Sequence, residues 1–238
     1  MRPTWAWPAL LLLSLLPATS WADHPQTQPQ TQTAHGHGHD HDARASHPFD
    51  DVDRWMAVFD DPSRAGWQKP DKLPALLGLK PGMTVADIGA GTGYFERYFS
   101  QAVGADGKVY AQDIEPKMVA HMRERAVGEK TPNVIPLLGA PGDPKLPDAS
   151  VDVIFICDTW HHINDRLDYI GRLRRALKPG GTVAVIDFHK RDLPVGPPVQ
   201  HKMSREEVVA EFQEAAWTLA RESDLLPYQY VLIFAPPR

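Results

Sequence analysis

Apolar positions follow two alternating rhythms from about residue 49 to the end of the chain. Short runs rich in β-branched residues read as buried strands: Val85-Ala86-Asp87-Ile88, Lys108–Asp113, Val134–Leu138, Val151–Cys157 and residues 182–188. Pro136 places the third of these at the periphery of a sheet, because proline cannot donate to a ladder. Between the strands the period becomes helical. Tyr94, Phe95, Tyr98, Phe99, Ala102 and Val103 share one face. Pro116 opens a helix running to about Val127. Leu167, Ile170, Leu173 and Leu177 share another face, with Asn164 as its cap, and residues 204–215 form a further helix. Two short helices come earlier, one marked by Val52, Trp55, Met56 and Phe59, the other over 73–79. Residues 61–70 read as a polar, turn-rich connector, and 217–224 with 228–234 as a closing β-hairpin. Strands alternating with amphipathic helices predict one α/β domain over residues 49–238.

The first strand runs into Gly89-Ala90-Gly91-Thr92-Gly93, and a helix follows. Strand, glycine turn and helix together point backbone N–H groups at a ligand. Asp87 lies two residues before the first glycine, at the carboxyl end of the strand, where ligands of open α/β sheets bind. The spacing is not the dinucleotide fingerprint, and the lysine and hydroxyl of a P-loop are missing. Asp113 follows Gly93 by 20 residues and closes the second strand, where an acid can accept both ribose hydroxyls of an adenosine. The bland alternative for the glycines alone is a tight turn with no ligand.

Asp-x-Gly-x-Gly-x-Gly after a strand resembles the first motif of class I S-adenosylmethionine-dependent methyltransferases. The resemblance extends over about residues 70–235. It includes a histidine-bearing loop after the fourth strand, Asp158-Thr159-Trp160-His161-His162, and Leu177-Lys178-Pro179-Gly180-Gly181 before the fifth. It implies a Rossmann-like fold, with a seven-stranded, mostly parallel sheet and one antiparallel strand near the C-terminus. It implies S-adenosylmethionine as cofactor, held by Asp87, Gly89, Gly91, Gly93, Asp113, Ile114, Asp143 and Asp158, with Ile114 or Glu115 beside the adenine. For Asp143 the alternative is that Gly139-Ala140 holds its place, without a carboxylate. Helices before the first motif cap the site in this family, so Arg64 and Gln68 either reach cofactor or substrate or belong to a solvated connector.

Methyl transfer from a sulfonium is an in-line displacement in which the protein mainly aligns groups and excludes water. A base is needed only when the acceptor must lose a proton. Asp158, His161 and His162 are the catalytic candidates, and scaffold is the competing role for the two histidines. His189 is a second-tier pocket candidate. The acceptor, a small molecule or a protein, is not named by any motif. The alternative function is a non-catalytic exported module that binds S-adenosylmethionine or handles metal. Glycine spacing and the terminal hairpin disfavour a nicotinamide oxidoreductase.

Composition changes the picture mainly at the N-terminus. The chain has 238 residues, 42% hydrophobic and 23% charged, with formal net charge −5, so no nucleic-acid partner is indicated. Arg2, an apolar stretch over 9–16 too short to span a bilayer, and Ser20-Trp21-Ala22 read as a signal peptide over residues 1–22. The mature chain would begin at Asp23 with charge −6, having lost Arg2, and would be periplasmic or secreted with no stable membrane anchor. Residues 23–48 are low in complexity and read as disordered. Within them, His35 to Asp42 alternates histidine with glycine or aspartate, which is either a weak ligand for zinc, nickel or copper or simply a solvated tail. The single cysteine, Cys157, excludes a disulfide framework and reads as a buried hydrophobe.

Overall fold

A computed structural model describes residues 52–238. The expected leader, the histidine tract and residues 49–51 lie outside the described residues. Seven helices and seven strands follow in order. Helices α1 (Val52–Phe59), α2 (Arg64–Gln68) and α3 (Leu73–Leu77) precede β1 (Thr84–Ile88). Then come α4 (Glu96–Val103), β2 (Lys108–Asp113), α5 (Pro116–Gly128), β3 (Val134–Leu138) and β4 (Val151–Cys157). The C-terminal half holds α6 (Arg166–Ala176), β5 (Leu177–Phe188), α7 (Arg205–Glu214), β6 (Thr218–Ser223) and β7 (Gln229–Ala235).

The strands form one sheet in the order β3-β2-β1-β4-β5-β7-β6. β7 runs antiparallel to both its neighbours, and every other pairing is parallel. This is the Rossmann-like architecture expected, with its antiparallel strand near the C-terminus. Alternate strand residues feed two cores. Val85, Val109, Phe155 and Ile186 pack with Leu73, Phe99 and Met122 on one face. Ile88, Ile154, Val185 and Leu232 pack with Ile170, Leu173 and Phe212 on the other. All five β1 residues are buried, as a central parallel strand requires. β1 hydrogen-bonds β2 on one side and β4 on the other, so the strand order reverses at its carboxyl end. That switch point opens a crevice above the sheet.

Several details differ from the sequence reading. The supposed connector at 61–70 contains α2, and its Gln68 is fully buried. α4 starts at Glu96; Tyr94 and Phe95 sit in the preceding turn, yet both are core residues. α6 is entered at Asp165, not Asn164, with no side-chain cap, and Leu167 is largely exposed. β5 begins at Leu177, because Leu177 pairs with Val151 across a register shift before Thr182 pairs with Val153. The terminal hairpin forms as expected, but Trp217 is packed under it rather than within β6.

Candidate functional site

The glycine turn is fastened to the end of β2 by three backbone donors. Gly89 N and Ala90 N both donate to Gln112 O at 2.9 Å, and Gly91 N donates to Asp113 Oδ2 at 2.9 Å. Gly89 has φ 73°, and a Cβ there would lie 2.3 Å from Thr159 Oγ1. Thr159 cannot easily yield, since its hydroxyl donates to Cys157 O at 3.0 Å. Only glycine fits where the β1 and β4 loops cross. Gly91 passes under the Phe59 ring, which lies 3.3 Å from where a Cβ would stand, and Gly93 lies against Glu96 and Met122.

Asp113 Oδ1 accepts from Glu115 N at 2.8 Å. Burial pushes its carboxyl up, and the backbone donors at Glu115, Gly91 and Ile114 offset part of that rise. Each oxygen keeps a lone pair for a further donor. Ile114, 47% exposed, stands at the edge of the crevice. Gly139 N donates to Asp113 O at 2.9 Å, so the loop after β3 starts beside this acid. Asp143 lies further along that loop. Its Oδ2 pairs with Lys145 Nζ at 3.0 Å and Arg172 Nη1 at 3.3 Å, and its carboxyl is held low by its hydrogen bonds to Lys145.

Asp87, at the mouth of β1, is 2% exposed, and Glu96 at the start of α4 is 4% exposed. Desolvation pushes the Asp87 carboxyl well above the usual range, and adjacent Glu96 pushes it further. The Glu96 carboxyl is itself pushed up to about 7, chiefly by burial.

A second polar cluster sits after β4 and β5. Asp158 has φ 55°, and two distant segments meet at its carboxyl. Gln68 Nε2 of α2 donates to Oδ2 at 3.1 Å, and Gln229 Nε2 of β7 donates to Oδ1 at 2.6 Å. Burial and then the charge of Asp187 push Asp158 up to about 7, against the pull of Arg64. Asp187, wholly buried, faces His161 with Oδ2 2.7 Å from Nδ1. Burial alone would lower the His161 pKa, but the Asp187 hydrogen bond and charge outweigh it, so the net shift is upward. His162 is driven down by burial and by His161, whose ring centroid is 4.1 Å away. The Arg64 guanidinium stacks 4.2 Å from the Tyr94 ring centroid and donates through Nε to Gln68 Oε1 at 2.8 Å. Trp67, Phe188 and Tyr228 lie beside the cluster, with centroid separations of 5.8 Å and 6.0 Å from the Trp67 ring. His189 is driven down by burial and lies 6.0 Å from the Tyr230 ring centroid.

The fold thus brings Asp87, Gly89, Gly91, Gly93, Asp113 and Ile114 to one end of the sheet, with Asp158 and His161 beyond the neighbouring strands. Glu96, Asp187 and Gln229 were not singled out from sequence. Glu96 had a legible signal, since it falls on the same buried face of α4 as Phe99, Ser100 and Val103. Asp187 had one too, as a lone acid ending an apolar strand. Among the described residues, no group of three or more His, Cys, Asp or Glu side chains is placed to hold a metal ion. None of the helices described is long and apolar enough to cross a membrane.

A family model described as a methyltransferase domain matches residues 86–185. A solved SAM-dependent methyltransferase from Aquifex aeolicus is 34% identical, with a TM-score of 0.74 over 77% of this chain and 97% of that one. The chain belongs to the class I S-adenosylmethionine-dependent methyltransferases. A ubiquinone/menaquinone biosynthesis C-methyltransferase of Ectopseudomonas mendocina is 31% identical over 121 residues, 50% of this chain. The match spans 47% of that relative's length, about half of it. A phosphoethanolamine N-methyltransferase of Haemonchus contortus, solved with S-adenosylhomocysteine, shares the fold at 22% identity and a TM-score of 0.62, over 77% of this chain and 45% of that one.

S-adenosylmethionine is the cofactor of this methyltransferase fold, and the residues present fit it. The glycine turn leaves open the space that Cβ atoms would fill, and the buried Asp87 Oδ2 lacks a hydrogen-bond partner. Asp113 retains acceptor capacity at the end of β2, where the ribose of an adenosine is read.

Proposed function

We propose that this methyltransferase moves a methyl group from S-adenosylmethionine to a nucleophile admitted beside Asp158 and His161. One observation carries the reading most strongly. The Asp113 carboxylate and the glycine turn are joined at the switch point of the sheet, through Gly91 N at 2.9 Å. When bound, the cofactor supplies a methyl carbon already activated by its positive sulfur. This chain's residues do the rest by binding and orienting. Asp113 accepts the ribose hydroxyls, Ile114 covers the adenine, and Asp87 faces the ammonium of the methionyl group. Arg64, whose charge reaches both Asp87 and Asp158, suits the methionyl carboxylate. Asp143, paired with Lys145 and Arg172, shapes the adenine loop from outside.

An acceptor that must lose a proton meets a prepared base. Hydrogen bonding of Nδ1–H to Asp187 leaves the His161 Nε2 as the acceptor atom, and Asp158 titrates near neutrality. The aromatic flank of Trp67, Phe188 and Tyr228 suits a flat apolar acceptor, and the C-methyltransferase named for quinone biosynthesis lends that class support. The same reading keeps residues 1–22 as an export signal with Asp23 as the mature N-terminus; finding Met1 in a soluble cytosolic pool, by amino-terminal sequencing, would contradict it.

Calorimetric titration of the full chain with S-adenosylmethionine and, separately, with NAD tests the proposal. Saturable one-to-one heat with the first and none with the second is expected. Binding of NAD, or of neither, would overturn it.

A further inference from the structure

Asp87 and Glu96 are two buried acids on different elements: Glu96 Oε2 lies 3.3 Å from where a Cβ of Gly93 would stand, and the Asp87 and Glu96 carboxyls interact with one another. Asp87 Oδ2 and both Glu96 carboxyl oxygens receive no hydrogen bond. A buried carboxylate without donors is costly, and two side by side cost more.

The neighbouring charges do not relieve this. Arg125 of α5 is committed elsewhere: Nη1 donates to Asp60 Oδ1 at 2.8 Å and to Thr92 O at 3.1 Å, and Nε to Glu129 Oε1 at 2.9 Å. Arg64 of α2 donates to Gln68 and to the Phe59 carbonyl. Both arginines lower the pair's pKa values only through space, while Asp113 and Glu129 oppose them. The partner that remains is a proton between the two acids. A small cavity lined by Gly93, Glu96, Met122, Arg125 and Thr131 lies against Glu96.

We infer that Asp87 and Glu96 share one proton as a carboxyl–carboxylate pair, and that seating the cationic ammonium of the methionyl group against Asp87 expels it. Glu96 is therefore a positioning residue that makes cofactor binding proton-linked. The inference rests on the cofactor site proposed above. The step balances: the O–H bond of the shared proton breaks, the proton passes to buffer, and the pair gains one negative charge against the incoming positive one. Binding that releases a proton strengthens as pH rises, by up to about tenfold per pH unit when one whole proton leaves.

Titrating S-adenosylhomocysteine, which carries the same ammonium, into the full chain tests this. Binding heats would be measured between pH 6 and 8 in phosphate and in imidazole, buffers that differ in ionisation enthalpy. The parent should release close to one proton near neutral pH, with affinity climbing as pH rises. In Glu96→Gln the amide donates to Asp87, which is then ionised beforehand, so the release and the slope should nearly vanish. The ligand's own amine contributes equally to both proteins and cancels in the comparison. A residue that merely supports packing would weaken binding equally at every pH and leave the slope alone. Parent binding without proton release, or an unchanged slope in Glu96→Gln, overturns the inference. No binding by the parent overturns the cofactor site itself. Should Glu96→Gln not fold, Asp87→Asn serves in its place: lost proton release supports the inference, and retained release overturns it.

Discussion

Two acid clusters lie at the same end of the sheet and are built in opposite ways. At the ends of β1 and β2, Asp87 and Glu96 are buried with oxygens that nothing donates to. Beyond β4 and β5, Asp187 is wholly buried and Asp158 partly so, and donors from Gln68, Gln229, His161 and the Phe188 N–H reach them. Buried polar groups are ordinarily satisfied, so an exception asks for a missing partner. On the proposed reading, a cation from outside completes the first cluster. The acids of the second are met by donors from within the fold, and on the proposed reading it holds and passes a proton.

The largest expected effect falls on the first region. Gly89→Val places branched carbons into Thr159 at a positive φ, and cofactor binding should disappear in calorimetry while circular dichroism still reports an α/β protein. Asp113→Ala removes the proposed ribose acceptor and also the anchor of Gly91 N. It should weaken binding by roughly 2–4 kcal/mol, about thirtyfold to thousandfold. Binding equal to the parent's would remove the distinction between the two regions.

The second region should show itself in pH dependence rather than affinity. Asp158 keeps its proton up to about pH 7 when folded, whereas the unfolded chain releases it near the ordinary carboxylate value. The folded state thus binds more protons in between, so this group's contribution to stability falls as pH rises from about 4 to about 7. Thermal midpoints of Asp158→Asn should decline less steeply over that window than those of the parent. For His161 the sign is the same. Its raised pKa contributes stability at low pH that is lost as pH climbs through the folded value. In Asp187→Asn the His161 titration followed by NMR should move to lower pH with cofactor affinity unchanged. The smallest effect is expected at Asp143, a partly exposed ion pair. Asp143→Ala should change cofactor affinity by less than about fivefold, whereas a larger loss would mean that its carboxylate reads the adenine directly.

The first region was largely legible in the sequence because its parts are local. Glycine spacing, a strand and an acid 20 residues later follow from chain geometry that any homologous strand–turn–helix shares. The second was not, because its parts are joined only by folding. Asp158 was visible as the residue ending an apolar run, but Gln229 is 71 positions away and Gln68 is 90. Gln68 sat in a stretch too short and too polar to show helical periodicity, so its complete burial could not be read. Sheet order followed from alternation, while element edges did not. The start of β5 depends on Val151 across the ladder, a partner that local pattern does not reveal.

The clamp on Asp158 has a consequence for the order of assembly. Its two amide donors come from opposite ends of the folded domain, one ahead of β1 and one at the start of β7. A growing chain that has completed β4 holds Asp158 with at most one of them. The clamp on Asp158 is therefore complete only once β7 is paired with β5.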